Sequence, residues 1–283
     1  VSEFDFILDN IVYSYSSVTT FETCPHAFKL TYIDNMPREQ NFYGEFGLFM
    51  HDILEKYFNR ELEEFELPQY YDAEYERNVT ESPPPFPFGL GDKYRNDGIT
   101  FLENIDFDRD RYEVVGTEES IFSEYNGEHN GISLIIKPDL ILKDKTNGEY
   151  ILADYKTSKL DLTGKTGFSK KDLKKIDEYL RQFYLYIYFY GKEKEIDITK
   201  IFVWFIRNDL LMEFEVDEKI MKETLHWFDS TVDEILSEEE WTKAASEDKK
   251  NHYFCNFICG VSNSCEYKPE PKVKDKDGDF IPE

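Results

Sequence analysis

Between positions 45 and 60 the apolar residues Phe46, Phe49, Met50, Ile53, Leu54, Tyr57 and Phe58 recur three and four apart, which predicts a helix with one buried face. Upstream, Ser16 and Ser17 and the capping-box spacing from Thr19 to Glu22 predict a first helix. Pro25 suits the first turn of another, which places Phe28 and Tyr32 on one face. The pattern then changes to that of strands over 112–123, 131–142 and 150–155, with turn signals at Asn126-Gly127 and Asn147-Gly148, and predicts an antiparallel meander. A helix is expected over 171–190, strands over 201–207 and 211–216, and a helix over 218–236. Grouped strands with helices before and after them predict an α/β fold, a mixed central sheet flanked by helices.

Pro83, Pro84, Pro85 and Pro87 deny both helix and central strand, so residues 67–98 read as an excursion or linker. That divides the chain into an N-terminal helical segment (1–66), the linker, a sheet-bearing core (99–236), a cysteine-bearing segment (237–265) and a loose tail (266–283). No repeat of solenoid length is visible.

Composition narrows the function. Hydrophobic residues make up 40% of the chain and aromatics 17%, enough for a buried core. No apolar run is long enough to span a membrane, and Glu3, Asp5 and Asp9 stand where a secretory signal carries positive charge, so a soluble, cytoplasmic protein is expected. With 33 basic against 59 acidic residues the net charge is −26, which repels nucleic acid and anionic membranes alike unless the sign reverses locally. It does so between 156 and 175, where seven lysines (156, 159, 165, 170, 171, 174, 175) face only Asp161 and Asp172, a balance of 7 − 2 = +5. Such a run can track a phosphate backbone or simply form a solvated helix face.

Asp139 and Asp154 each sit in otherwise apolar strand sequence, where an isolated charge costs several kcal/mol unless compensated. A hard divalent cation, Mg²⁺ or Mn²⁺, compensates it. Lys156, two residues beyond Asp154, shares its face of the strand. Metal, activated water and ammonium together are the chemistry of phosphodiester hydrolysis, although a bare Asp-x-Lys is more often an ordinary ion pair. Gly164-Lys165-Thr166 is not a phosphate loop, because Lys159 stands where the first glycine belongs. The four cysteines, Cys24 alone and Cys255, Cys259 and Cys265 together, are too few for a disulfide scaffold and suit zinc or an iron–sulfur cluster, with His252 favouring a Cys/His zinc site.

Pro138-Asp139 and Asp154-Tyr155-Lys156 resemble the signature of the PD-(D/E)xK nuclease superfamily, and further motifs resemble its RecB-like branch, which includes CRISPR-adaptation exonucleases and AddB-type nuclease domains. Gly47-Leu48-Phe49-Met50-His51 resembles the Gly-x-x-x-His helix, and Gln182 to Tyr186 the Gln-x-x-x-Tyr motif. Cys24-Pro25-His26-Ala27-Phe28 with Tyr32 resembles the opening of members carrying an iron–sulfur cluster. The resemblance implies a restriction-endonuclease-like core whose N- and C-terminal segments are joined by a metal cluster. It also implies a Mg²⁺- or Mn²⁺-dependent DNA exonuclease acting on single-stranded or frayed ends in recombination, replication or repair, beside a helicase or recombination partner. By the same resemblance His51, Asp139, Asp154 and the Tyr155 carbonyl are metal ligands; the mechanism expected here uses one or two such ions, with Glu118 or Glu119 as a further ligand. Lys156 is then catalytic, Gln182 and Tyr186 steady the site, and Cys24, Cys255, Cys259 and Cys265 hold a 4Fe–4S cluster, with structural Zn²⁺ as the alternative. Lys159, Lys165, Lys170, Lys171, Lys174 and Lys175 are the expected DNA contacts. The chain departs from the pattern at Ile136, where glycine is usual, and in its Cys-x3-Cys-x5-Cys spacing. The competing class is a catalytically inactive nuclease fold that binds DNA or protein.

Overall fold

The computed structural model describes residues 4–8, 10–125, 131–161, 167–239, 241–270, 273–274 and 280–281. Helices α1 (Asp5–Leu8), α2 (Tyr15–Thr23), α3 (Pro25–Phe28), α4 (Phe42–Phe58), α5 (Leu67–Asn78) and α6 (Leu90–Asn104) precede the first strand. Strands β1 (Tyr112–Thr117), β2 (Ile121–Tyr125), β3 (Ile132–Ile136), β4 (Leu140–Asp144) and β5 (Tyr150–Lys156) follow. Then come α7 (Lys170–Lys194), β6 (Ile198–Phe205), β7 (Leu210–Glu215), α8 (Glu218–Ser237) and α9 (His252–Phe257). Strands β8 (Val273–Lys274) and β9 (Phe280–Ile281) pair antiparallel within the segment expected to be loose. No helix among the described residues is long and apolar enough to cross a membrane.

The central sheet runs β1-β4-β5-β6-β7 and is mixed: β5 and β6 are parallel, the other pairs antiparallel. A parallel pair needs a long crossover, and α7 supplies it. Side chains on β5 alternate between two cores. Ile151, Ala153 and Tyr155 join Phe46, Phe49, Tyr71 and Phe101 of α4, α5 and α6. Leu152 joins Phe183, Phe189 and Phe228 of α7 and α8. The sheet is therefore covered on both faces, as a restriction-endonuclease-like architecture requires, and Asp154 and Lys156 take the α7 side.

Two sequence expectations change. The runs 112–123 and 131–142 are each one strand in the pattern and two in space. The first breaks at Glu118, whose φ is +48°, and the second at Lys137-Pro138-Asp139. The inner halves β1 and β4 pair in the main sheet, and the outer halves β2 and β3 form a separate hairpin to which Tyr13 bridges. The Asn126-Gly127 turn lies outside the described residues, whereas Gly148 turns with φ +80° between β4 and β5 as expected. Second, 67–98 is not a linker. It holds α5 and α6, which bury Tyr71, Tyr75 and Tyr94, with the Tyr71 ring stacked 5.4 Å from Phe49. The prolines interrupt only the connection between these helices. A smaller shift affects α2: its cap is Ser14, which exchanges bonds with Ser17, rather than Ser16 or Ser17.

Candidate active site

The strand breaks assemble the site. Where β1 and β4 leave the main sheet, the Glu118 amide donates to the Asp139 carbonyl at 3.0 Å, and the Tyr155 amide donates to Asp139 Oδ2 at 3.0 Å. Glu118 is held in the left-handed region, which costs a non-glycine residue about 1–2 kcal/mol and is typical of functional sites.

Helix α4, capped by the Asn41 side chain on the amides of Tyr43 and Gly44, lays His51 over the end of β5. His51 Nε2 lies 3.0 Å from the Tyr155 carbonyl, and Nδ1 lies 3.3 Å from Glu118 Oε1 and 3.5 Å from Asp139 Oδ2. Ligand atoms of His51, Glu118 and Asp139 all lie within 4.8 Å of one another, a donor set of one imidazole and two carboxylates that fits a small divalent cation. Gly47, one turn earlier, could carry a Cβ at an ordinary 3.7 Å from Thr157 Oγ1, so the packing of this chain does not itself demand the glycine.

On the other face of β5, Asp154 is 2% exposed and its Oδ1 lies 2.7 Å from Lys156 Nζ. Lys156 also donates to Gln182 Oε1 at 2.9 Å, and Gln182 Nε2 donates to Tyr186 Oη at 2.9 Å. The ammonium sits over the rings of Tyr179 and Phe183 at 4.8 and 5.1 Å. The structure thus gathers His51, Glu118, Asp139 and the Tyr155 carbonyl at one point and links Asp154, Lys156, Gln182 and Tyr186 beside it; Asp154 is not among the ligand atoms within 4.8 Å of one another, and Glu119 pairs with Lys194 instead. Two residues complete the site. Glu118 was only one of two options, since its role depends on an unforeseen break in the strand. Lys137, whose Nζ lies 2.5 Å from Glu118 Oε2, carries no motif that marks it in the sequence.

Electrostatics follow the geometry. Burial raises the Asp139 carboxyl and the nearby Asp154 raises it further, to about 7. Burial works against charge on His51, but Asp139, Glu118 and Asp154 outweigh it and lift the imidazole to about 9. Burial likewise opposes charge on Lys156, yet Asp154 and Asp139 raise its pKa, so it stays an ammonium. Burial favours the neutral form of Glu118, and its bonds to His51 and Lys137 reverse that and lower it.

Of the basic run, Lys170, Lys171 and Lys174 project into solvent from the first turns of α7, while Lys174 also lies 3.5 Å from Glu178. Lys175 is half-buried, and burial lowers its pKa. Lys159 is exposed with its Nζ 3.4 Å from Asp97, and Lys165 lies outside the described residues.

The four cysteines line one pocket with Ala27, Leu30, Phe254 and Val261. The amides of Ala27 and Ala245 both donate to Cys24 Sγ at 3.3 Å, and the Glu39 amide donates to the Gly260 carbonyl at 2.7 Å, so the two ends of the fold meet here. Burial pushes the Cys255 thiol up to about 11 and raises Cys259 and Cys265 as well, so thiolates at this spot call for a cation. His252 Nε2 lies 3.1 Å from the carbonyl of Ser246, another residue lining this pocket.

The sequence model described as the PD-(D/E)XK nuclease superfamily matches residues 12–269. Among solved structures, the chain is similar to a candidate exonuclease from Eubacterium rectale, at 13% identity over 80% of each chain and a TM-score of 0.46. It is also similar to the protein SSO0001, at 19% identity over 71% of this chain and 81% of that one, with a TM-score of 0.33. No curated protein matches.

Proposed function

Because the chain belongs to the PD-(D/E)XK nuclease superfamily, we propose that it is a Mg²⁺- or Mn²⁺-dependent deoxyribonuclease of RecB-like type, an exonuclease on single-stranded or frayed DNA ends. The observation that carries this reading is the meeting of His51, Glu118 and Asp139 beside the Asp154–Lys156 pair. His51, Glu118, Asp139 and Asp154, with the Tyr155 carbonyl, would hold the metal. Such an ion polarises a phosphoryl oxygen and acidifies a bound water. Lys156, held by Asp154 and Gln182, would be a fixed donor that stabilises charge growing on the phosphoryl oxygen. Tyr186 holds Gln182, so the motif acts through Lys156.

Lys170, Lys171 and Lys174 stand at the N-terminal end of α7, where the helix dipole adds to their charge, a suitable place for a phosphate backbone. Work in recombination, replication or repair beside a helicase fits that activity.

Cys24, Cys255, Cys259 and Cys265, gathered in one pocket with two backbone amides donating to Cys24, would hold a 4Fe–4S cluster, with structural Zn²⁺ as the alternative.

End-labelled linear and covalently closed circular DNA, incubated with Mn²⁺ or with EDTA, test the activity. Metal-dependent loss of linear DNA alone, abolished in Asp139→Asn, is expected. Cutting of the circle would make the enzyme an endonuclease, and inertness toward both would end the proposal.

A further inference from the structure

The two oxygens of Glu118 face different cations. Oε1 turns to His51, 3.3 Å away, and Oε2 lies 2.5 Å from the ammonium of Lys137. Asp154 repeats the arrangement, with Oδ1 lying 2.7 Å from the ammonium of Lys156. A carboxylate that bridges two metal ions gives one oxygen to each, and at both candidate bridges here a lysine already stands at one oxygen.

From this we infer that Lys137 takes the place of a second divalent cation, so that the site holds one ion. The inference rests on the metal-nuclease reading and fixes its stoichiometry. Charge points the same way. Glu118, Asp139 and Asp154 carry three negative charges and Lys137 and Lys156 two positive, leaving −1 apart from His51. One divalent ion brings the site to +1, the charge that one phosphodiester neutralises. Two would bring it to +3, in a pocket whose carboxylates are mostly covered. Glu55, one turn beyond His51 on α4, accepts from Thr117 Oγ1 at 3.4 Å.

Lys137 is placed for this role by its backbone. It follows Ile136, 2% exposed at the end of β3, and precedes the buried Pro138, while its own side chain is 52% exposed. The fold therefore anchors its neighbours, and the half-exposed side chain reaches Glu118 from between them. It is a positioning residue, acting through Glu118.

Mn²⁺ titration followed by electron paramagnetic resonance tests this without turnover. The Asp139→Asn chain serves as the blank for loose binding to the acidic surface. Wild type should take up one Mn²⁺ above the blank. Lys137→Gln, in which only an exposed side chain changes, should take up a second or bind the first about tenfold more tightly, as removal of a neighbouring positive charge requires. Lys137→Arg should restore the wild-type curve. Two ions in wild type, or a Lys137→Gln curve identical to wild type, would overturn the inference and leave the nuclease reading standing. No uptake above the blank would instead remove the metal site itself.

Discussion

In the metal-free protein, His51 should make stability fall with rising pH. Its imidazole is lifted from 6.5 to about 9, because the carboxylates of Asp139, Glu118 and Asp154 outweigh the cost of burial. At 1.36 kcal/mol per pH unit of pKa shift, that rise is worth about 3 kcal/mol, and the side chain is only 25% exposed, so solvent screening removes little of it. A group with a raised folded pKa contributes fully below its unfolded value and loses that contribution as pH rises through the folded one, so the window is pH 6.5 to 9. Asp139, raised from 3.8 to about 7, loses its own contribution largely below this window. Urea unfolding in EDTA at several pH values from 6.5 to 9.5, for wild type and His51→Gln, isolates the effect. Wild type should lose about 3 kcal/mol more than the variant over that range. Parallel curves for the two proteins would refute the placement of His51 among carboxylates. The same competition between proton and metal predicts that Mn²⁺ binds more tightly from pH 6.5 to 9, with release of a proton.

Lys156→Met should abolish cleavage and destabilise the metal-free fold by about 3–5 kcal/mol, since it leaves Asp154 buried without its partner; thermal melts with and without Mn²⁺ should show part of that loss recovered by the ion. Cys24→Ser should remove visible absorption and bound iron, measured by spectroscopy and metal analysis, and should lower the melting temperature by loosening the junction of the two chain ends. Charge reversal at Lys170, Lys171 and Lys174 should raise KM for DNA and flatten its salt dependence with kcat little changed, as steady-state kinetics at several ionic strengths would show.

What could be read from the sequence was whatever local pattern controls. The period of α4 and of β5 comes from burial on known faces, so both elements, and with them the shared face of Asp154 and Lys156, follow from the order of residues. The break at Glu118 does not, because a left-handed glutamate has no local signature and persists only where the surrounding fold imposes it. The helices α5 and α6 were hidden by a different cause. Their mean hydropathy is low and prolines lie between them, so the pattern reads as loop, and it is packing against α4, by Tyr71, Tyr75 and Tyr94 together with Leu67, Phe101 and Leu102, that makes them core. The pairing of Lys137 with Glu118 lay beyond reach for the same reason as the break that allows it.

The parting of two continuous runs into paired halves ties the site to two packed units at once. The inner halves β1 and β4 belong to the five-stranded sheet, while Ile121, Ile132, Leu134 and Ile136 of the outer hairpin are buried with Phe183 and Phe189 of α7. Glu118 and Asp139 stand at the fork, so any sliding of one unit against the other would be felt first by these two carboxylates.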